Sequence, residues 1–293
     1  MKEEIAIKSY WRLILQKILN QPLAIIGFFL IIVFILFAIS ADFIAPYAPN
    51  DTDLVNQTLT PPSSTHLFGK DDLGRDIFSR IIYGSRISLK VALTVMLSSM
   101  IIGTLLGLIA GYFGGWIDEL IMRLTDLMMA FPGILLAIAI MTVLGQSINN
   151  LILALVLVNW KSFARLARAE ALREKELEYV AAARLLGFSH IRIMFKHILP
   201  NILNPLIVNA TLGMASIILA EAGLSFLGLG APPDVPSWGS MLNEGRNYLL
   251  QAPHLTIFPG IAIMLTVTGF VLLGDSLRDA LDPNFDEKGS IQY

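Results

Sequence analysis

The sequence predicts an all-α protein that crosses a membrane six times, and three observations predict it. Hydrophobic residues fill 55% of the 293 positions, and mean hydropathy is +0.67. Charged residues fall to 15%, against about 25% in soluble domains. The charges are also segregated: residues 18–41, 91–117, 127–160, 198–220 and 247–274 hold no Asp, Glu, Lys or Arg. Each of these runs exceeds the roughly 20 residues that a crossing helix needs. A soluble single domain is excluded on these grounds. The absence of cysteine excludes a disulfide scaffold, and a net charge of −2 gives no reason to expect nucleic acid.

Backbone polar groups in hydrocarbon must be satisfied internally, and continuous apolar runs rather than alternation select helices over a closed barrel. The first helix is predicted from Pro22 to Ile39 and the second from Ser88 to Tyr112. On the second, Gly103, Gly107 and Gly111 repeat every four residues, so one face admits close approach by another helix, in this chain or in another. The third helix is predicted from Ile117 to Leu144, with Arg123 and Asp126 spaced to pair at i, i+3. Gly145-Gln146-Ser147 and Asn149-Asn150 make a polar turn, and the fourth helix starts near Leu151. Lys161, Arg165 and Arg168 mark its last turns as leaving the membrane. The fifth runs from Ile202 to Ala222, with Glu221 near its outer end, and the sixth from Pro253 to Leu273. Charge inside a span is costly, which makes Arg123, Asp126 and Glu221 pathway candidates. Arg123 and Asp126 sit about one or two turns from the cytoplasmic end, where snorkelling and mutual pairing suffice as an explanation.

Lysine and arginine orient the helices. With six crossings, Lys2, Lys8, Arg12, Lys17, Arg123, the basic residues of 161–196, Arg278 and Lys288 share one side, fifteen against six. Both termini are therefore expected in the cytoplasm. The first apolar run, preceded by twenty residues, reads as a retained membrane helix; a secretory signal is the other reading.

Catalytic patterns are missing. Gly69-Lys70 is followed by Asp71 and lacks the upstream glycine of a phosphate loop, so no nucleotide cradle is encoded. His66, His190, His197 and His254 are scattered, with no evident third ligand for a metal. There is no Gly-x-Ser-x-Gly elbow and no His-Glu-x-x-His pair. The chain is expected to have no catalytic residue, no metal and no cofactor of its own. Sparse acids within the spans count against ion-driven transport.

The connection from Lys161 to Pro200 is basic, yet Ala167–Leu186 lacks Gly and Pro and is rich in helix formers. It is predicted as helix up to Gly187, a C-terminal stop. Ala181-Ala182-Ala183 gives it a flat, small-residue face. Such a helix suits a partner's groove, and it equally suits a position on anionic lipid.

Here the residues resemble a family. Tyr179-Val180-Ala181-Ala182-Ala183-Arg184-Leu185-Leu186-Gly187 and His197-Ile198-Leu199-Pro200 resemble the Glu-Ala-Ala…Gly…Ile-x-Leu-Pro loop of ABC importer permeases. Ala181 stands where the motif has Glu, and His197 where it often has Ile; Glu178, one turn earlier, is the candidate to replace the carboxylate. Phe68–Arg80 with Tyr83–Leu89, Ala220–Gly230, Pro236-Ser237-Trp238-Gly239 and Leu273–Pro283 resemble peptide/nickel-type permeases, nearest to the C-type subunit of dipeptide and oligopeptide importers.

The resemblance implies a type I ABC importer permease fold in a prokaryotic inner membrane. It divides the chain into a cytoplasmic segment (1–21), a first helix with an extracytoplasmic segment (22–85), a five-helix core (86–280) with its coupling loop at about 161–200, and a cytoplasmic tail (281–293). It further implies a second homologous permease, two cytoplasmic ATPases that bind ATP and Mg, and an extracytoplasmic solute-binding protein. Topology makes the 42–87 segment and the 228–252 loop the expected docking surface for that protein. Glu178, Tyr179, Ala181, Ala182, Ala183, Gly187 and Pro200 are the implied ATPase-coupling residues. Peptides, nickel chelates, glutathione and sugars are handled within the family.

Overall fold

The computed structural model describes residues 17, 18, 20–53 and 58–281. The expected segment 1–21 and tail 281–293 lie almost wholly outside the described residues. Among those residues the chain is helical, and its one β feature is an isolated bridge between Lys70 and Asp76. The helices are α1 (Pro22–Ile39), α2 (Ala41–Ile44), α3 (Ile77–Phe113), α4 (Gly115–Ala130), α5 (Gly133–Leu144) and α6 (Ile148–Glu174). They continue with α7 (Glu178–Leu185), α8 (His190–Phe226), α9 (Trp238–Gly245) and α10 (His254–Leu281).

Five of these, α1, α3, α6, α8 and α10, are long and apolar enough to cross a membrane, and α4 with α5 makes a sixth crossing if the pair is taken as one span. The predicted third helix is thus corrected to two helices meeting at 90°. Proline is the cause. Pro132 brings no N–H, and its ring drives Phe131 out of helical geometry, to φ −96° and ψ 136°.

α1 keeps the predicted bounds, with Pro22 in its first turn, where a missing N–H costs nothing. It packs on α10 through Gly27, where a Cβ would lie 2.9 Å from the Gly269 carbonyl. α3 starts eleven residues before the predicted Ser88, because the Asp76 side chain caps it by accepting from the Ser79 N–H at 2.8 Å. At 37 residues it spans about 55 Å, well beyond the bilayer's apolar core. It is the central helix, contacting α1, α4, α6, α8, α9 and α10.

The seam of α3 with α6 is built on glycine. A Cβ at Gly103 would sit 2.3 Å from the Trp160 carbonyl, at Gly107 2.2 Å from the Ala164 carbonyl, and at Gly111 2.8 Å from the Arg168 carbonyl. The helix that these glycines admit is α6 of the same chain.

The predicted helix over 167–186 is corrected at Lys175–Leu177, where α6 ends and α7 begins. Propensity favours continuation there, but tertiary contacts win. Lys175 Nζ donates to the Gly111 carbonyl at 2.9 Å, an acceptor left without a partner at the end of α3. α8 begins at His190, twelve residues before the predicted Ile202, and α10 runs two turns beyond the predicted Leu273.

Candidate functional site

The α6–α8 connection builds a surface element from local rules. Val180 and Ala183 face inward and are buried, while Glu178, Ala181, Ala182, Leu185 and Leu186 are exposed. These five fall at i, i+3, i+4, i+7 and i+8, one helical face, which the exposed Tyr179 and Arg184 flank. It is apolar apart from Glu178, and Leu185 and Leu186 are 91% and 72% exposed. The sequence placed all three alanines on one surface; the structure turns Ala183 inward. Gly187 closes the helix with φ +75°: its N–H donates to the Arg184 carbonyl at 3.0 Å, and the Phe188 N–H to the Ala183 carbonyl at 3.2 Å. This paired-bond termination needs a left-handed residue, and nothing lies within 4 Å of a Cβ there. Conformation, not space, requires glycine.

Behind α7, Pro200 reshapes α8. It cannot donate to the Lys196 carbonyl, and in α geometry its ring would press on that group. The backbone widens to a π turn over Ile193–Ile198, where the Leu199 N–H reaches back to the Met194 carbonyl. The His197 carbonyl accepts from Asn201 Nδ2 at 2.7 Å. The second Asn201 proton goes to the Tyr179 hydroxyl at 2.8 Å, and that hydroxyl donates its own proton to Glu174 at the end of α6. It also lies 3.2 Å from the His197 carbonyl. Burial, with Glu174 beside it, pushes the Tyr179 phenol up to about 12, so it remains a donor across the physiological range. Tyr179 and Pro200 were legible as motif residues; Glu174 and Asn201 were not, because their partners are distant in sequence.

Arg123 and Asp126 do not pair with each other, which corrects the i, i+3 expectation. Arg123 bonds back to Glu119, and Asp126 is paired with Arg165 of α6. Arg168 makes two hydrogen bonds to Asp118, and Lys161 Nζ donates to the Met128 carbonyl at 2.7 Å. Lys161, Arg165 and Arg168 thus form a ladder that ties α4 to α6, with Lys161 capping the last turn of α4. Arg123 and Asp126 line an open cavity of about 360 Å³ with Leu127 and Ala130.

At the opposite end Glu221 is fully buried, and its carboxylate accepts from Ser88 at 2.9 Å and Ser225 at 2.8 Å. It faces neighbouring helices rather than open space. Nearby, the 42–87 and 228–252 segments are knit together. The Trp238 indole donates to the Ile81 carbonyl at 3.0 Å, and its ring covers Gly84. Asp71 accepts from Arg75 at 2.7 Å and Arg80 at 2.8 Å, and Glu244 accepts from the same two guanidinium groups. Burial raises the Glu244 carboxyl above its ordinary range, opposed by Arg80 and Arg75.

Two transport-permease families match this architecture. Residues 103–287 match the binding-protein-dependent transport system inner membrane component family. The chain belongs to that family. Residues 9–62 match the N-terminal transmembrane domain of oligopeptide transport permease C. Over 94% of its length this inner membrane component is 48% identical to the dipeptide transport system permease protein DppC of Alkalihalophilus pseudofirmus, covering 90% of that protein. It is 45% identical to the glutathione transport system permease protein GsiD of Pectobacterium atrosepticum, over 95% of this chain and 92% of that one. The MetNI methionine ABC transporter, solved in inward-facing conformations, superposes with a TM-score of 0.57 at 17% identity, covering 70% of this chain and 98% of that one. That likeness bears on the fold, and it agrees with the expected type I permease architecture. The resemblance to C-type peptide permeases is borne out by the sequence matches. This is a multi-pass membrane permease.

Proposed function

We propose that this chain is the transmembrane subunit of an ATP-driven importer, forms half of its pathway, and couples to a cytoplasmic ATPase through α7. The carrying observation is the exposed apolar face of Ala181, Ala182, Leu185 and Leu186, held out by buried Val180 and Ala183. An apolar face of two turns, outside the predicted spans and left exposed among the described residues, suits a complementary groove. Glu178 stands on the same face one turn before Ala181 and supplies the acidic group that the motif carries at that position. ATP, bound with Mg on the ATPases, acts through its different affinity for their open and closed states, as any ligand must.

A second homologous permease completes the pathway, and a solute-binding protein docks on the paired 42–87 and 228–252 segments. The positive-inside distribution supports a cytoplasmic location for α7 and both termini, in an inner membrane. The relatives transport a dipeptide and glutathione, so a small peptide or related solute is the proposed cargo. Arg123 and Asp126, which border an open cavity, are the pathway candidates carried forward; Glu221, enclosed, staples α8 to Ser88 of α3 at the opposite end.

Purification of the tagged chain from native membranes should bring two ATPases and a second permease at comparable stoichiometry. Recovery without ATPase, under conditions that keep a control ABC complex intact, would remove the proposal. Ala182→Trp places a large ring in the docking face and should reduce ATPase retention at least about tenfold, the scale of a central interface contact. Gly187→Val forces a β-branched residue into left-handed geometry, at about 1–2 kcal/mol. It should raise ATP hydrolysis per solute imported while leaving insertion intact. Normal radiolabelled dipeptide or glutathione uptake by both variants would sink the docking role of α7.

A further inference from the structure

We infer that Tyr179 is a positioning residue: its hydroxyl is the strut through which α7 moves α6 and α8 together, and it acts inward rather than on the ATPase. This rests on the coupling role of α7 proposed above. Few other contacts hold α7 in place, among them Arg184 over the Tyr112 ring at 5.7 Å. This short helix has two buried side chains, Val180 and Ala183, and no side-chain cap at its first residue. Apolar contacts of that size are non-directional and permit sliding. Tyr179 adds direction. One oxygen gives its proton to Glu174, the last residue of α6, and takes one from Asn201 in the first turns of α8. Glu174 is nearly buried and has few other partners, Arg173 lying 3.9 Å away.

The other half of the strut is the π turn. Beside it the His197 carbonyl accepts from the Asn201 side chain, which at the same time reaches Tyr179. Pro200 therefore does more than end a motif: the widened turn lets one amide join backbone and phenol. α8 continues from this point without a break to Phe226, and α6 runs from Glu174 back to Ile148. A displacement of α7 by a partner is passed at Tyr179 to both membrane helices at once.

The test uses the complete four-chain transporter in lipid nanodiscs. Hydrogen exchange is followed by mass spectrometry without nucleotide and with ATP plus vanadate. In the wild type, nucleotide should slow exchange in 178–187 and, by about tenfold, in 193–204, the scale of one hydrogen bond to a charged group. In Tyr179→Phe, which keeps the ring, slowing should persist in 178–187 and fall below about twofold in 193–204. Glu174→Gln retains an oxygen for the phenol but not the charge, and its slowing in 193–204 should fall between wild type and Tyr179→Phe. A purely structural loss would raise exchange equally in both nucleotide states. That result, or a Tyr179→Phe profile identical to wild type, overturns the strut alone. Absence of nucleotide-dependent slowing at 178–187 in the wild type overturns the docking of α7 and the strut with it.

Discussion

Gly107→Val should prevent this chain from accumulating as a folded membrane protein. The Cβ that valine adds would lie 2.2 Å from the Ala164 carbonyl and 2.9 Å from the Ala167 Cβ, far inside contact distance. Neither neighbour can yield: one is helix backbone, and the other is a fully buried methyl on the same helix. Relief requires moving α6 away from α3. α6 is also held by the Lys161–Arg165–Arg168 ladder to α4 and by Glu174 to α7, so the displacement breaks polar contacts well beyond the seam. Over-packing alone costs about 1–3 kcal/mol, and the lost contacts put the total at the top of that range or above it. Membrane yield and monodispersity in mild detergent are the measurements. Gly260→Ala is the control: a Cβ there meets nothing within 4 Å, and φ is not left-handed, so the change should be neutral or stabilise by about 0.4–1 kcal/mol. Equal yields from Gly107→Val and Gly260→Ala would show that the α3–α6 distance is not set by these glycines.

That seam was half legible in the sequence. A four-residue glycine repeat on an apolar helix announces close approach, but not to which helix. The partner is fixed by Ala164, Ala167 and Ala171, small residues of α6 that stay inconspicuous among helix formers. Span positions were legible because absence of charge is a one-dimensional signal; α1 matches it at both ends because Pro22 opens the helix. The bend between α4 and α5 carried a signal as well. Pro132 lies inside the predicted third helix, with uncharged residues continuing on both sides of it. Hydropathy reports the solvent around a segment and says nothing of its direction.

The site divides along the same line. Gly187 and Pro200 were legible because each acts on its own backbone, one through left-handed φ and the other through a missing N–H. What they build was not. Asp118 pairs with Arg168 across fifty positions, and Ser88 with Glu221 across 133. No helical spacing foretells such pairs, and the i, i+3 rule misassigned Arg123 and Asp126. Local rules name candidates for a charge's partner, but the crossing of two helices decides among them. The π turn belongs to the same class: proline predicts a disturbance, and only the neighbouring Tyr179 and Asn201 give it a use.

Arg80→Ala should open the opposite end of the molecule. Arg80 is 1% exposed and bridges Asp71 at 2.8 Å and Glu244 at 3.0 Å, while Arg75 bridges the same two carboxylates from the other side. The four groups alternate in sign. Removing one guanidinium leaves two largely enclosed carboxylates to share the other. Breaking a buried pair in this way costs about 3–5 kcal/mol, on the order of 10 °C in Tm for a chain of this size. Arg80→Lys should recover only part of the loss, because an ammonium cannot present two parallel donors to two acceptors. The pH dependence gives the sign. Burial already raises the Glu244 carboxyl, and loss of Arg80 removes an opposing charge and raises it further. A raised carboxyl binds more protons in the folded state, so this group's contribution to the variant's stability is fully present below the ordinary carboxyl range and is lost as pH rises through the folded-state value. The deficit relative to wild type should therefore narrow as pH is lowered from neutral toward 5, read by thermal unfolding in detergent. A deficit that does not change with pH would mean that Arg80 acts through the packing of its stem and not through its charge.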